Sequence, residues 1–381
     1  MTASLDSVLQ QLPLPQRSGC RPPQVSTALG CILPDCGKLA PSCQFDQTAS
    51  RSAWQREWNP LKLFGSKRPS IRSNLLSFAN SSSDAKPLGC RGGAYATYVS
   101  GERYIPGVLC LQRRLRRVQS ACPLLVLFDD RPGHSLTPKS LDALRDGVNN
   151  AGSLISLTQL LARLNVTSPS NVWDHVSLQH PSNASMKHGT IGRRLFDASE
   201  WDSMYIKLWF WALPERYKRI VVLDSDVLLL RNVDELMHFT LRRIAAVPAL
   251  GCSTDVFNGG VLILRPSLLT LKRLLHTVVG KICENKITDQ SVMNIAFRGS
   301  WQQLAYSYNV PFKLLLAAPR LFWKDADVAV VHFLSEPKPW DTAESKEKIG
   351  AATSPARARA DRRHAERALA VAAPVWRRVC G

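Results

Sequence analysis

The run Ile220-Val221-Val222-Leu223, followed at once by Asp224-Ser225-Asp226, constrains this chain more than any other feature. Four apolar residues without alternation read as a strand buried on both faces. Two carboxylates spaced i, i+2 then leave its C-terminal end, where ligands collect in open α/β sheets. Carboxylates placed behind a buried strand are costly unless a metal or a base balances them. Oxygen ligands of this kind suit Mg²⁺ or Mn²⁺, and a diphosphate could complete the shell.

The neighbouring segments support the same class. Ala94–Ser100 is β-rich, Ile105–Val118 is helix-like, and Leu124–Phe128 is an uninterrupted apolar strand. A helix is predicted from about Trp201 to Leu213, with Trp201, Tyr205, Leu208 and Trp209 on one stripe and Pro214 closing it. Val256–Leu264 is a further strand, and Pro266 opens a helix through Leu268, Leu271, Leu275 and Val278. Thr288 or Asp289 caps another helix, and Val328–Phe333 is the last strand. The alternation predicts an α/β fold whose parallel sheet is covered on both faces. Three regions are expected: a low-order extension over 1–88, one domain over 89–342, and a basic Ala/Arg-rich tail over 343–381. Residues 165–194 read as an inserted loop.

Composition excludes other classes. Of 381 residues, 45% are hydrophobic and 21% charged, which rules out a disordered chain, a collagen-like fibre and a coiled coil. No apolar run reaches the roughly 18 residues of a membrane span, so a soluble protein is expected, with the cytoplasm favoured and the Golgi left open if the N-terminus is incomplete. The net charge of +19 attracts phosphates. Basic clusters stand in the tail and in Arg113-Arg114-Leu115-Arg116-Arg117, both of which read as solvated. Nucleic-acid binding is disfavoured, because the tail's sole aromatic is Trp376. Among ten cysteines, Cys20, Cys31, Cys36 and Cys43 lack CxxC spacing, while Cys110, Cys122, Cys252 and Cys283 read as small core residues.

Several other residues can carry chemistry. His332 ends the last strand, and an imidazole added to two carboxylates favours Mn²⁺ over Mg²⁺. Lys338, flanked by prolines, puts an ammonium on a stiff loop where it could meet a phosphate. Asn258-Gly259-Gly260 allows close backbone approach beside an amide that reads hydroxyls, or forms a bulge. Asp289-Gln290 starts a helix and offers a carboxylate and an amide.

Taken together, Ala94 to Asp341 resembles the glycogenin-like retaining glycosyltransferases of family 8, which include galactinol synthases and plant glucuronyltransferases. The matching stretches are YATYVSGERYIPGVLCL, YIKLWFWALPERYKRIVVLDSDVLLLRNVDEL, FNGGVLILRPS, TDQSVMN and VVHFLSEPKPWD. The resemblance implies a GT-A fold, a UDP-sugar donor, a hydroxyl acceptor and Mn²⁺. It makes Asp224, Asp226 and His332 the metal ligands, with Ser225 between the two carboxylates at the donor. Tyr104 matches the aromatic beside uracil and Lys207 the helix lysine facing the donor. Asn258, Gly259 and Gly260 match the sugar-contacting turn, Asp289 and Gln290 the pair beside the reacting carbon, and Lys338 the diphosphate lysine. Ser335 stands where the family has glycine, and Lys286 where many members have a small or acidic residue. These departures motivate an alternative reading, a catalytically weak relative that still holds nucleotide-sugar.

Overall fold

The computed structural model describes residues 89–130, 136–147, 153–164, 205–213, 217–249, 255–281, 288–317, 328–334, 337–341 and 369–380. The extension over 1–88, the loop over 165–194, Cys252, Cys283, Lys286 and Ser335 lie outside them. In chain order the elements begin with β1 (Gly93–Val99), α1 (Ile105–Arg117), β2 (Leu124–Phe128), α2 (Pro138–Gly147), β3 (Ser153–Ser156) and α3 (Leu157–Arg163). After a 3₁₀ segment over Tyr205–Ala212 come β4 (Arg219–Leu223), β5 (Val227–Leu229), β6 (Ile244–Pro248), β7 (Phe257–Leu264) and α4 (Leu268–Lys281). The last elements are α5 (Asp289–Ala296), β8 (Gln302–Gln303), β9 (Val310–Pro311), α6 (Phe312–Ala317), β10 (Val330–His332) and α7, a helix over 369–380.

The main sheet runs β3-β2-β1-β4-β7-β6-β8, and a small second sheet runs β5-β10-β9. The half from β3 to β4 is parallel as expected. The purely parallel expectation fails beyond it, because β7 lies antiparallel to both β4 and β6. The link from β6 to β7 is shorter than the dozen or more residues that a parallel crossover needs, so these strands meet as a hairpin. This mixed sheet, with helices packed on it, makes an α/β fold.

One face of the sheet buries Tyr205, Leu208, Trp209, Phe210 and Trp211 against Leu271, Leu274, Val292 and Met293. The other buries Val108, Leu111 and Leu115 of α1 against Val126, Val221 and Ile263. The Tyr205–Ala212 segment is 3₁₀ rather than an α-helix with one apolar stripe. All eight of its side chains are buried, so packing on every side sets its geometry. Trp201 and Pro214 fall outside the described residues.

Two readings of the basic segments are corrected. Arg114 is buried, and its guanidinium donates to the carbonyls of Leu229 (2.7 Å) and Leu230 (3.1 Å), tying α1 to the strand after the DSD triplet. Burial, with Arg117 nearby, pushes its pKa down to about 10. The tail is not solvated throughout: α7 packs Ala372, Val375, Trp376 and Val379 against Val310, Phe312, Val331 and Phe333. The cysteine reading is corrected as well. Cys110 and Cys122 lie in the core but form disulfides with Cys380 and Cys90 respectively. Among the described residues, no helix is long and apolar enough to cross a membrane.

Candidate active site

The site forms where the sheet turns from parallel to antiparallel. β4 delivers Asp224 at its carboxyl end, and the Asp224 N–H donates to Gly260 O of β7 at 2.9 Å. The chain then turns into β5, whose antiparallel pairing with β10 sets His332 opposite Val227. The Phe333 N–H donates to Asp226 O at 2.9 Å. Strand register thus brings together residues about a hundred positions apart. Asp224, Asp226 and His332 each offer a ligand atom within 4.8 Å of the others. His332 Nε2 lies 3.0 Å from Asp226 Oδ1 and 3.9 Å from Asp224 Oδ2.

Two buried lysines flank the carboxylates. Lys338 Nζ donates to Asp226 Oδ2 (2.7 Å) and Phe333 O (2.8 Å). Lys207 Nζ pairs with Asp224 Oδ1 (2.7 Å) and Asp289 Oδ2 (3.0 Å), and donates to Gly259 O (3.1 Å). Burial alone would raise the Asp226 pKa, but His332 and Lys338 outweigh it and hold the carboxylate well below its usual range. Burial dominates at Asp224, whose pKa is raised despite Lys207, with Asp226 adding to the rise. For Lys207, burial opposes the charge, yet Asp224 and Asp289 raise its pKa well above the ordinary value. The Tyr98 ring lies beneath that ammonium at 5.3 Å.

The glycine turn and the helix start meet this cluster. Gln290 Oε1 accepts from Gly259 N–H at 2.9 Å, and Thr288, rather than Asp289, caps α5 by accepting from Ser291 N–H at 3.1 Å. Asn258 Oδ1 accepts from Gly260 N–H. Gly260 lies so close to the His332 ring that a Cβ there would overlap it. Ser225 is buried, and its backbone packs on Gly107 of α1.

Tyr104 stands at the start of α1 with the Arg103 guanidinium 6.0 Å from its ring centroid. Arg103 grips Asp341 through two nitrogens (3.0 and 2.6 Å), and Asp341 Oδ2 accepts from Lys338 N–H at 2.6 Å. The Trp340 indole N–H donates to Arg103 O at 2.8 Å. The lysine loop is therefore clamped to the α1 start. Sequence reasoning missed this clamp, Tyr98 and Asn309, whose contacts arise only from tertiary register. The residues Trp340 and Asp341 stood inside the quoted KPWD stretch and were the available signal.

The donor set fits a divalent cation such as Mn²⁺ or Mg²⁺: two hard carboxylates and one imidazole, converging and held by buried partners. An α/β sheet with this cluster beyond its strand ends is the arrangement that the GT-A resemblance implies. The sequence profile of glycosyl transferase family 8 matches residues 173–344. Rabbit (Oryctolagus cuniculus) glycogenin-1 is 28% identical over 263 residues, 67% of this chain and 68% of that protein. Galactinol synthase 5 of Arabidopsis thaliana is 24% identical, covering 67% of this chain and 76% of that protein. Human glycogenin-2 is 28% identical, but the match spans only 43% of its length. The profile match and these relatives support a glycogenin-like assignment within glycosyl transferase family 8. Among solved structures, the glycosyltransferase GlyE of Streptococcus pneumoniae TIGR4 aligns with 66% of this chain and 57% of its own, at 17% identity and a TM-score of 0.45.

Proposed function

We propose that this protein transfers a hexosyl group, glucosyl first among candidates, from a UDP-sugar to an acceptor hydroxyl with retention of configuration. The observation that carries the reading is the convergence of Asp224, Asp226 and His332 between Lys338 and Lys207. UDP as carrier gains support from one relative, named a putative UDP-glucuronate:xylan alpha-glucuronosyltransferase 3 of Arabidopsis thaliana.

In this reading Asp224, Asp226 and His332 hold Mn²⁺, or Mg²⁺ in its place, and the ion supplies Lewis-acid stabilisation of negative charge on the diphosphate. Lys338 adds a second positive charge at the diphosphate, and Tyr104 lies along the uracil. Ser225 and the Asn258-Gly259-Gly260 turn face the donor. Lys207 holds Asp224 and Asp289 in fixed rotamers, so Asp289 and Gln290 present a carboxylate and an amide to the reacting carbon. The bond from that carbon to the UDP oxygen breaks as the bond to the acceptor oxygen forms. The acceptor proton leaves with the departing phosphate oxygen.

Asp224→Asn and Asp226→Asn test the reading, because each removes a charged ligand and changes side-chain volume little. Donor-dependent UDP release is expected to fall at least about a hundredfold in each, with circular dichroism unchanged. Full activity in both variants would contradict the proposal.

A further inference from the structure

We propose that Asn309 is the positioning residue for His332: it fixes the imidazole proton on Nδ1 and so presents Nε2 to the cation. The inference rests on the reading of Asp224, Asp226 and His332 as a cation site, and it follows from one line of buried hydrogen bonds.

The line starts at a group whose polarity is fixed. The Gly260 backbone N–H can only donate, and it meets the Asn258 side chain at 2.8 Å, so that atom is the amide oxygen, Oδ1. Asn309 approaches the same oxygen at 2.7 Å and must do so with its donor, Nδ2. The remaining Asn309 atom, Oδ1, then faces His332 Nδ1 at 2.8 Å. A carbonyl oxygen accepts only, so Nδ1 carries the hydrogen. Nε2 is left as the ring atom aimed at Asp226 and Asp224, 3.0 Å from Asp226 Oδ1, an oxygen that accepts a hydrogen from it until a cation takes that place. A flip of either amide breaks a bond to a fixed partner, so the backbone amide of β7 sets the tautomer of a ligand on β10.

The surroundings keep this line intact. Asn309 and His332 are 3% and 2% exposed, so water is not positioned to replace a lost partner. The pairing of β9 with β10, Val310 opposite Val331, holds Asn309 beside the ring. A metal-bound imidazole is ordinarily oriented by the hydrogen bond at its other nitrogen, and removing such a partner costs roughly 10–100-fold in metal affinity. Because Asn258 belongs to the glycine turn, the turn assigned to the sugar and the imidazole assigned to the cation share one hydrogen-bonded line.

The test is a long-range ¹H–¹⁵N spectrum of the full chain labelled with ¹⁵N-histidine, recorded metal-free and with Mg²⁺, with His332 identified by its loss in His332→Gln. The expected result is a proton on His332 Nδ1 in both states. In Asn309→Leu, similar in shape but without an acceptor, the Nδ1 signature should disappear. Mn²⁺ affinity by electron paramagnetic resonance should fall about 10–100-fold. Asn309→Asp keeps an oxygen toward the ring and should keep the Nδ1 proton. A neutral ring protonated on Nε2 in the wild type overturns the proposal, whether or not the variants fold. So does unchanged Mn²⁺ affinity in Asn309→Leu, or equal loss of the Nδ1 signature in both variants. Wild-type protein that binds no Mn²⁺ but carries the Nδ1 proton upholds the ring polarity and removes the cation reading of the site instead.

Discussion

At Gly260 the site has no room for a side chain. A Cβ there would run into the His332 imidazole, whereas a Cβ at Gly259 would find its nearest neighbour, Lys207 Nζ, at an ordinary 3.4 Å. Gly260→Ala is therefore expected to displace the imidazole and lower Mn²⁺ affinity at least about tenfold, while Gly259→Ala leaves that affinity nearly unchanged. Direct Mn²⁺ titration checks the contrast, and equal effects of the two substitutions would contradict it. At this scale the chemistry was legible where a residue type announces it: two carboxylates after a buried strand, an imidazole ending another, a lysine between prolines. Asn309 was not legible, since an asparagine in Tyr306-Ser307-Tyr308-Asn309 has no distinguishing pattern until β9 is laid beside β10.

Elements show the same division between pattern and context. Asp130, just past β2, accepts from Ser156 Oγ (2.5 Å) and Thr158 N–H (2.9 Å) and so docks the start of α3. Burial raises its pKa, but those hydrogen bonds outweigh it and the net shift is downward. The folded chain thus binds this proton less readily than the unfolded one. The stabilisation is present above about pH 4 and is lost as pH falls through the lower folded value. Asp130→Asn should flatten the acid limb of a denaturation profile, and an unaltered limb would show that this contact does not matter. Helix α7 carries a larger effect. Trp376 packs on Phe333 and Trp340, with ring centroids 5.6 and 4.7 Å away, and so lies directly behind the lysine loop. Trp376→Ala should cost about 3–5 kcal/mol in urea unfolding; a loss under about 1 kcal/mol would mean that α7 is not held as described. The single tryptophan was visible in an Arg/Ala-rich tail, but the apolar surface it covers is assembled from β5, β9 and β10, which no local window reveals.

The whole molecule depends on long-range ties. The Cys110–Cys380 disulfide joins residues 270 positions apart and fastens α7 to α1, with Arg113 donating to Cys380 O beside it. Closing so long a loop restricts the unfolded chain, so Cys380→Ser should lower stability by about 2–5 kcal/mol relative to the oxidised protein. A peptide map without reductant should recover the Cys110–Cys380 pair, and unfolding insensitive to reductant would refute the tie. The α/β class was legible from uninterrupted apolar strands alternating with helices. Strand direction was not, because β7 pairs antiparallel with β4 although its own sequence reads like that of a parallel neighbour. The central claim, a cation-assisted transfer from a UDP-sugar at Asp224, Asp226 and His332, is tested most directly by UDP release from a panel of UDP-sugars. The full chain is assayed with Mn²⁺ and with chelator. The account predicts slow release from one sugar that requires the cation; no release from any, together with no UDP binding in the presence of Mn²⁺, would contradict it.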